Sequence, residues 1–314
     1  MNMRVTLLSR TLKRFPAPPS CFRDAATRAL ISSLPSSSSS GLIGWHLDRT
    51  TSIGTITLQS PSTYNALTVE MGQEFFALCR QIETALTLGA SSETECHAVV
   101  LVGAGDDAFS AGGNIDWIRS FKNNSAHANV DLMLQFYKSF LSVRSIPVPV
   151  IAALHGPAIG AGAGLALACD MRTAAPRSRI LGFNFAKLGM HSGMGSSHLL
   201  PTLAGGMSSK ITEILLKGKI LSGNEAYELG LINVLSDHAK EAAYDLALEI
   251  SKQHPVAIRT MLQTIRQTQE HGLEAAIQRE ALAQAVCYNR NDWGEGVNAV
   301  SSKRDPIFEP YHNH

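Results

Sequence analysis

The chain has 314 residues, of which 45% are apolar, 17% charged and 6% aromatic. This apolar content can offset the entropy lost on folding, so the composition excludes a disordered chain, and no apolar run reaches the ~18 residues of a membrane-spanning helix. The 27 basic and 26 acidic residues leave a net charge of +1, but residues 1–40 hold six of the bases and one of the acids. The remainder is therefore slightly acidic, which argues against binding to nucleic acid phosphates.

Residues 1–40 have the composition of a mitochondrial targeting segment. They are rich in arginine and serine, hold a single acid, and end in the serine run Ser36–Ser40. Basic residues interrupt the apolar stretch that a secretory signal would need, whereas a basic amphipathic start is typical of mitochondrial import signals. The alternative is a solvated tail without function. We therefore predict a disordered, removable segment over residues 1–40 and localisation in the mitochondrial matrix.

From Gly41 onwards, alternating strand and helix patterns predict an α/β fold. Residues 41–236 are expected to form the α/β core, and residues 237–314, which show almost no β pattern, a helical subdomain. In chain order, the core begins with strands at 43–49 and 52–58, a helix after Thr68, a buried strand at 97–102, a helix at 128–143 and a second buried strand at 148–154. Four apolar residues of the C-terminal helices are predicted to pack in the core or between subunits: Leu262, Ile265, Leu273 and Ile277.

The five cysteines form no CxxC pair, and no histidine lies near them at metal-ligand spacing. This pattern is typical of a reduced compartment and predicts no metal site. Cys169 lies in an apolar run, where a cysteine packs as a small hydrophobic residue.

Two glycine-rich segments, residues 109–118 and 153–170, each follow a predicted buried strand. The second opens a helix that is apolar on all sides, so we expect this helix to be buried. Gly160, Gly162 and Gly164 in its first turn allow another backbone or a ligand to approach the N–H groups that a helix start leaves unpaired. Such a helix start suits an anion or a developing oxyanion.

Three interpretations of these segments are open. A dinucleotide site would need GxGxxG in the first βα unit, but the spacing here is GxxxGxGxG in the middle of the chain. The second interpretation is close packing of a helix on the sheet with no ligand, which would be enough to explain a single glycine-rich turn. Two such turns, each after a buried strand, favour an oxyanion pocket with one N–H group from each loop.

Six sequence motifs occur in order between about residues 42 and 308. They are Asn65-Ala66-Leu67; Phe109-Ser110-Ala111-Gly112-Gly113-Asn114-Ile115; residues 153–162 followed by Cys169-Asp170; Leu188-Gly189 with Gly193-Met194-Gly195; residues 221–235; and the ending Asp292, Glu295, Gly296, Ala299, Lys303, Arg304, Pro306 and Phe308. This series resembles the motifs of the enoyl-CoA hydratase/isomerase family, also called the crotonase family, over nearly all of the folded chain. Ala161 replaces the middle glycine of the family's glycine triplet, and Ser192 replaces a proline.

The resemblance implies a crotonase fold, which is a ClpP-like spiral of ββα units with a C-terminal helical trimerisation subdomain. It implies a homotrimer or a dimer of trimers and an acyl-CoA thioester substrate, with coenzyme A entering as part of the substrate and no cofactor bound permanently. By position, the backbone N–H groups of Gly113 and Ala161 would hold the thioester oxygen. Further substrate contacts are implied for Asn65, Ala66, Leu67, Ala111, Gly112, Asn114, Ile115, Gly160, Gly164, Phe185 and Lys303. The resemblance implies that Lys303 lies near the coenzyme A phosphates; the alternative is a solvated lysine on the surface.

The two glutamates that hydratases of this family use as general base and general acid are absent. By position they fall at Gly164 and Phe185, and neither glycine nor phenylalanine can transfer a proton. Asn114 replaces a loop aspartate, and the position of a further acid used by dienoyl isomerases falls at Gly193. The chain therefore departs from the family at the residues that do the chemistry.

A different acid or base is one way to restore the chemistry, and the candidates are His191 and His155, followed by Asp116 and Ser192. A second possibility is a reaction that needs a stabilised enolate but no proton abstraction, such as decarboxylation of a malonyl-type thioester. A third is an acyl-CoA-binding protein without turnover. We expect an acyl-CoA enzyme of the hydratase/isomerase type in mitochondrial fatty-acid or branched-chain metabolism. Glutamates at positions 164 and 185 would raise hydration; the alternative outcome is unfolding, because a buried unpaired charge in place of Phe185 is costly.

Overall fold

The computed structural model describes residues 37–38, 41–88, 96–302 and 304–309. Most of the predicted targeting segment and the candidate Lys303 lie outside these residues, so what was predicted for them stays a prediction. Ser37–Ser38, near the end of the predicted segment, form a short strand.

The described chain alternates strands and helices as far as residue 235 and is helical afterwards. The strands are β1 (Ser37–Ser38), β2 (Ile43–Asp48), β3 (Ile53–Leu58), β4 (Ala98–Gly103), β5 (Val150–Leu154), β6 (Ala158–Ile159), β7 (Met171–Ala174), β8 (Leu181–Gly182), β9 (Ile220–Leu221) and β10 (Val234–Leu235). The α-helices are α1 (Val69–Leu88), α2 (Ile115–Arg119), α3 (Ala126–Leu141), α4 (Ala161–Ala168), α5 (Ser196–Leu203), α6 (Ser209–Leu216), α7 (Gly223–Glu228), α8 (Ala239–Ser251), α9 (Pro255–Glu270), α10 (Leu273–Tyr288) and α11 (Asn291–Ser301).

The larger sheet has seven strands in the order β1-β2-β3-β4-β5-β7-β10. The pairs β1–β2 and β2–β3 are antiparallel, and all neighbours from β3 to β10 are parallel. Every residue of β4 and β5 is buried, as expected for parallel strands with both faces covered. The α/β class predicted from the sequence is confirmed. Because β4 and β5 pair in parallel, their carboxyl ends lie side by side, and so do the starts of the loops that follow them.

Local sequence explains where the core elements begin. The Thr68 hydroxyl accepts a hydrogen bond from the first turn of α1, and the Ser125 hydroxyl caps α3 in the same way. Helix α3 starts at Ala126, two residues before the predicted start at residue 128. β5 starts at Val150 rather than at residue 148, since Pro149 has no N–H group to donate to a neighbouring strand. The short helix α2, which the sequence analysis did not predict, is capped by the side chain of Asn114.

A second, three-stranded sheet has the order β6-β8-β9. β6 pairs in parallel with β8, and β8 pairs antiparallel with β9. An isolated parallel bridge joins Ala158 of β6 to Ser110, which lies in the loop after β4. The small sheet therefore holds the two glycine-rich loops next to each other.

The helices after residue 236 do not all stand apart from the sheet. Ala243 and Ala247 of α8 pack in one buried cluster with apolar residues of β3, β4 and β5, whereas α10 packs on the other side of the molecule against α3 and α5. The predicted helical content is observed, and the domain boundary at residue 236 stays a prediction. Within the described ranges, no helix is both long enough and apolar enough to cross a membrane.

Candidate active site

The loops that follow β4 and β5 are joined by backbone hydrogen bonds. Ser110 N–H donates to the carbonyl of Pro157 at 3.1 Å, and Ile159 N–H donates to the carbonyl of Ser110 at 3.0 Å. The two glycine-rich segments that the sequence analysis singled out therefore form one continuous surface at the carboxyl end of the sheet, where ligand sites in parallel sheets usually lie.

The segment with the Asn-Ala-Leu motif anchors the first loop. Leu67 N–H donates to the carbonyl of Gly112 at 2.7 Å, and Asn114 N–H donates to the carbonyl of Leu67 at 2.9 Å. Ala111 N–H donates to the carbonyl of Tyr64 at 2.8 Å. These bonds fix the backbone on both sides of Gly113.

The Asn65 side chain forms hydrogen bonds that hold the neighbouring loops in place. It is fully buried; its Oδ1 accepts from Ser60 N–H at 3.0 Å, and its Nδ2 donates to the carbonyls of Ala104 and Ala108 at 2.9 and 3.0 Å. Its backbone has a φ of +54°, which asparagine tolerates better than most residues. Its backbone is engaged too, since Asn65 N–H donates to the Ser60 carbonyl at 2.8 Å and its carbonyl accepts from Ser110 Oγ at 2.7 Å. Asn65 therefore shapes the loops, and the substrate contact that the resemblance implies for it stays a prediction.

Glycines allow the two loops to touch. Gly112 has a φ of +95°, and a Cβ at this position would overlap the carbonyl oxygen of Ile159 and lie 3.4 Å from the backbone nitrogen of Ala161. A Cβ on Gly162 would lie 2.7 Å from the carbonyl oxygen of Ser110. Gly112 and Gly162 are therefore explained by close packing, which brings the first loop next to the start of α4.

The backbone N–H groups of Gly113 and Ala161 have no hydrogen-bond acceptor among the described residues, and the same holds for Gly162 and Ala163 in the first turn of α4. In the first loop, the amides on either side are paired, since Gly112 N–H donates to Ser110 Oγ at 3.2 Å and Asn114 N–H to Leu67. Ala161 is the first residue of α4, where the N–H groups have no acceptor within the helix and the helix dipole is positive. The structure thus brings together two candidates that are 48 positions apart in the sequence.

The two positions at which the resemblance implies glutamates, 164 and 185, lie in closely packed parts of the fold. Gly164 is buried in α4, and a Cβ there would overlap Cβ of Met194 and lie 3.0 Å from the Met194 carbonyl oxygen. Phe185 is buried, and its ring lies 3.8–4.0 Å from the position that a Cβ on Gly160 would take. Position 164 therefore has no room for any side chain, and position 185 presents an aromatic ring beside Gly160.

His155 lies just after β5, away from solvent. Its Nδ1 is 3.3 Å from the carbonyl of Ala153, and its Nε2 is buried without a hydrogen-bond partner among the described residues. Burial lowers the pKa of the imidazole, and the nearby Lys240 lowers it further. His155 is therefore neutral at physiological pH, with a free nitrogen that can accept a proton only weakly.

His191 and Ser192 lie in the loop between β8 and α5, against α10. The His191 Nδ1 is 2.8 Å from the Ser192 carbonyl and 3.5 Å from Ser192 Oγ. The His191 carbonyl accepts from Gln284 Nε2 at 2.8 Å. Asp116, the remaining candidate, points to solvent with 84% of its side chain exposed and forms an ion pair with Arg119 at 2.9 Å. That exposure makes Asp116 a poor general base for a buried substrate.

A buried polar network that was not predicted from the sequence lies on one face of α10. Both carboxylate oxygens of Glu280 accept backbone hydrogen bonds, from Gly195 N–H at 2.7 Å and Ser197 N–H at 2.8 Å. The hydroxyls of Tyr137 and Tyr288 donate to Gln284 Oε1 at 2.6 and 2.8 Å. Burial raises the pKa of Glu280 and of both tyrosines. Positions 280, 284 and 288 are spaced four residues apart, which places them on one face of a helix. This spacing is the sequence signal that could have revealed the network.

This network fixes the loop that covers Gly164. A Cβ on Gly193 would lie 2.5 Å from Tyr137 Oη and 2.7 Å from Gln284 Nε2, so the position of the dienoyl isomerase acid is also closed to side chains. Glu280 binds the next glycine, Gly195, directly. Met194, between the two glycines, is held against α4 as a result.

Three buried cysteines of the described chain are poor nucleophiles. Burial raises the pKa of Cys79, Cys96 and Cys169 to about 12, so these thiols stay protonated and unreactive. Within residues 41–88, 96–302 and 304–309, no three His, Cys, Asp or Glu side chains come together as metal ligands would.

The model of the enoyl-CoA hydratase/isomerase family matches residues 48–311. The chain belongs to this family. A Thermus thermophilus protein named as an enoyl-CoA hydratase is 31% identical over 258 residues, covering 82% of this chain and 97% of its own. The human enoyl-CoA hydratase domain-containing protein 2, mitochondrial, is 32% identical over 265 residues, covering 81% of this chain and 84% of its own.

Solved structures of enoyl-CoA hydratases share the fold. A crystal structure from Mycobacterium avium subsp. paratuberculosis has 25% sequence identity and a TM-score of 0.68, and the match covers 86% of this chain and 99% of that one. The family and the crotonase fold inferred from the six motifs are therefore confirmed. This family member carries Gly164 and Phe185 where the resemblance placed glutamates.

Proposed function

We propose that the protein is an acyl-CoA-processing enzyme of the enoyl-CoA hydratase/isomerase type that holds the thioester oxygen between the N–H groups of Gly113 and Ala161. The observation that carries this proposal is the pairing pattern: these two amides lack an acceptor among the described residues, and close packing at Gly112 brings their loops into contact. The family membership supports a coenzyme A thioester as the ligand.

The chemistry of such a site is stabilisation of negative charge on the thioester oxygen. Two fixed N–H donors, one at the positive end of α4, stabilise an enolate or a tetrahedral oxyanion without having to reorient. Loss of one donor of this kind costs ~10²–10³ in rate. We infer that Gly113 and Ala161 supply the rate enhancement that remains when carboxylates are absent at positions 164 and 185.

Decarboxylation of a malonyl-type thioester is the second candidate, and the apolar surroundings of Phe185 and Met194 favour it. In this reaction the bond between the α carbon and the carboxylate breaks, carbon dioxide leaves, and the electron pair forms an enolate whose oxygen the two amides would bind. A proton from solvent then adds to the α carbon. No protein carboxylate is required, and an apolar wall disfavours the charged substrate carboxylate more than the dispersed charge of the transition state. Binding of acyl-CoA without turnover is the remaining alternative.

Crotonyl-CoA hydration by the full chain is expected to be slow or absent, although crotonyl-CoA should still bind. Hydration needs a base and an acid on one water, and each group contributes about 10²–10⁴ to the rate. Assays against enoyl-, 3-hydroxyacyl- and malonyl-type CoA thioesters, with calorimetric binding of each, test the proposal. Rapid hydration that survives both His191→Ala and His155→Ala would show that an unassigned residue transfers the proton, and failure to bind any thioester would refute the proposal itself.

We propose that the protein acts in the mitochondrial matrix, in fatty-acid or branched-chain acyl-CoA metabolism. The basic, serine-rich composition of residues 1–40 supports this location, and so does the mitochondrial human relative, although the Thermus thermophilus relative is bacterial. Fusion of residues 1–40 to a fluorescent protein should direct it to mitochondria, whereas a fusion with its bases replaced by glutamine should stay in the cytosol.

Removal of residues 1–40 should leave the melting temperature unchanged within about 1 °C. The only described contact of this segment is the pairing of Ser37 and Ser38 with β2, and two residues at a sheet edge add little stability. Differential scanning calorimetry of the full chain and of a chain starting at Gly41 measures the difference. A loss of several degrees would mean that the segment packs on the fold.

We propose a homotrimer or a dimer of trimers. The apolar set predicted for the C-terminal helices divides in the structure: Leu262, Leu273 and Ile277 are buried within the chain, whereas Ile265 is 55% exposed. Further large apolar residues on α9 and α10 are exposed, namely Met261, Leu282 and Val286, and subunit contacts would cover them. Light scattering should give three or six times the chain mass of 33.7 kDa, and a monomer at micromolar concentration would contradict this assembly.

A further inference from the structure

A cavity of about 600 Å³ lies between α1, the end of α3 and the junction of α9 and α10. This volume is within the range of about 300–1,000 Å³ that is usual for small-molecule sites. None of the residues that line it belongs to the candidate active site. Arg144 lines the cavity and donates to the carbonyl of Ala168, the last residue of α4, whereas Ala161 at the candidate active site is the first. The two places therefore lie at opposite ends of α4, about 10 Å apart along its axis.

Arg144 brings a poorly satisfied positive charge to this cavity. Its side chain is 6% exposed, and its Nε has no hydrogen-bond partner among the described residues. Its other nitrogens form only long contacts, at 3.4–3.5 Å, with the carbonyls of Ala168 and Arg266 and with Gln269 Oε1. Charged N–H···O bonds are usually about 2.7–2.9 Å long, so these contacts do not replace the water that the guanidinium loses on burial.

The carboxylates around Arg144 leave its charge incompletely balanced. Asp170 is engaged by Arg266, with which it forms two hydrogen bonds of 2.7 and 2.6 Å. Glu270 Oε1 lies 3.5 Å from Arg144 Nε, and 50% of the Glu270 side chain is exposed, so solvent weakens this ion pair. Burial lowers the pKa of Arg144, and the neighbouring Arg266 lowers it further. An anionic group at Arg144 would therefore be stabilised.

Ser145 adds a second unpaired polar atom to the same cavity. Its Oγ is buried and has no hydrogen-bond partner among the described residues, and the residue lines the cavity next to Arg144. Buried polar atoms in folded proteins are usually paired. A guanidinium N–H and a hydroxyl that both lack an acceptor indicate a place for a group that accepts from both, and a carboxylate does so with its two oxygens.

The apolar part of the cavity wall indicates what the carboxylate is attached to. Phe76 of α1, Leu141 of α3, and Leu273 and Ile277 of α10 all line the cavity. Phe76 is 45% exposed, so a ligand that covers it removes apolar surface from water. The wall therefore suits an aliphatic chain.

The remaining charges at the cavity favour a ligand with a single negative charge. Lys138 lies 3.4 Å from Glu274, and Arg80 lies 2.6 Å from Glu83, so these two cations already have partners. Glu270 and Glu274 also line the cavity, and a phosphate dianion between them would be repelled more strongly than a carboxylate.

We propose that this cavity is a second ligand site, which binds an aliphatic monocarboxylate. The carboxylate lies at Arg144 and Ser145, and the aliphatic chain packs against Phe76, Leu273 and Ile277. The ligand takes the place of Glu270, the last residue of α9, whose half-exposed side chain turns into solvent. This site shares no residue with the two amides, so it does not depend on the proposed function.

Octanoate binding to the full-length protein, measured by isothermal titration calorimetry, tests this inference. Octanol has the same chain without the charge and should bind at least about tenfold more weakly. Hexanoate should also bind about tenfold more weakly, since each buried methylene contributes about fourfold in affinity. Acetate and inorganic phosphate, which lack the chain, should not bind at concentrations that saturate the site with octanoate. An excess of free coenzyme A should leave the Kd for octanoate unchanged.

Three variants test the assigned contacts. Arg144→Gln should raise the Kd for octanoate at least about tenfold, and Ser145→Ala about fivefold; the serine variant removes no bond of the described fold, so it provides a folded protein if Arg144→Gln is unstable. Glu270→Gln should lower the Kd about threefold, because it removes a like charge beside the ligand. Glu213→Gln is the matched control: Glu213 is 53% exposed and pairs with Lys217 at 2.6 Å, but it lies outside the cavity. It should leave the Kd unchanged.

The same titrations give the results that would overturn the site. A folded wild type that does not bind octanoate at millimolar concentrations would do so, and so would a Kd that stays the same in both Arg144→Gln and Ser145→Ala. Competition by free coenzyme A would place octanoate at the candidate active site instead. Thioester binding is measured separately, so each of these results leaves the proposed function intact.

Discussion

Glu280→Ala is expected to lower the melting temperature by about 10 °C. The carboxylate is fully inaccessible and accepts hydrogen bonds from Gly195 and Ser197, so its removal leaves two buried N–H groups without acceptors and opens a cavity. Each unpaired group costs about 1–3 kcal/mol, and about 2–4 °C is lost per kcal/mol in a domain of this size. Thermal unfolding followed by circular dichroism measures the loss.

Glu274→Ala is the matched control on the same helix. Glu274 is 65% exposed and lies 3.4 Å from Lys138, and an exposed ion pair of this kind contributes at most about 1 kcal/mol. The control should therefore melt within about 2 °C of the wild type. Equal losses in the two variants would show that Glu280 does not hold the loop over α4.

The pH dependence of Glu280 gives a second measurement. Because burial raises the folded-state pKa of this carboxyl group above 4.5, its stabilising contribution is fully present below about pH 4.5 and declines as the pH rises through the folded-state pKa. The difference in unfolding free energy between the wild type and Glu280→Gln should therefore be larger at pH 4 than at pH 7. Urea unfolding at the two pH values tests this, and a difference that grows with pH would contradict a raised pKa.

The parts of the fold that local sequence encodes were predictable. The all-apolar helix after Gly160 indicated a buried α4, and the apolar runs at β4 and β5 indicated fully buried strands. The family motifs then placed the two backbone donors at Gly113 and Ala161, and the structure leaves both without an acceptor among its described residues.

The contacts that hold the loop beside α4 were not predictable, because they join residues far apart in the sequence. Glu280 reaches the amide of Gly195, 85 residues away, and Tyr137 reaches Gln284, 147 residues away. The left-handed φ of Met194 has no local signal apart from its glycine neighbours. Asn65 is a motif residue that the resemblance implies as a substrate contact. In the structure, its side chain forms its hydrogen bonds with the neighbouring loops instead.

The contact between Gly164 and Met194 favours unfolding over a gain in hydration as the outcome of glutamates at positions 164 and 185 alone. A Cβ on residue 164 overlaps Met194, and a glutamate at the buried position 185 adds an unpaired charge that costs several kcal/mol. The double variant Gly164→Glu/Phe185→Glu is therefore expected to unfold or to melt far below the wild type, with no gain in crotonyl-CoA hydration.

Addition of Met194→Gly should remove the overlap at position 164, so the triple variant should melt above the double variant although the cost of a glutamate at position 185 remains. It removes the overlapping Cβ and relieves the left-handed backbone, so both carboxyl groups can face a water next to the bound thioester, although the Met194 carbonyl, 3.0 Å from the new Cβ, must still shift slightly. A base and an acid that act on one water contribute about 10²–10⁴ each, and crotonyl-CoA hydration by the triple variant should exceed that of the wild type by at least about 10⁴. Loss of enoyl absorbance measures the rate, and calorimetry measures the melting temperature.

The matched control is the triple variant with glutamine in place of both glutamates. Glutamine has the same shape and cannot transfer a proton, so it tests whether the gain comes from the carboxyl groups rather than from the enlarged pocket. Equal hydration by the glutamate and glutamine triple variants, both folded, would show that positions 164 and 185 do not face the reacting carbons. A double variant without Met194→Gly that folds and hydrates as well as the triple variant would show that Met194 does not close position 164. The expected result, hydration only when Met194 is removed and both carboxyl groups are present, would mean that one buried methionine separates this site from a hydratase site.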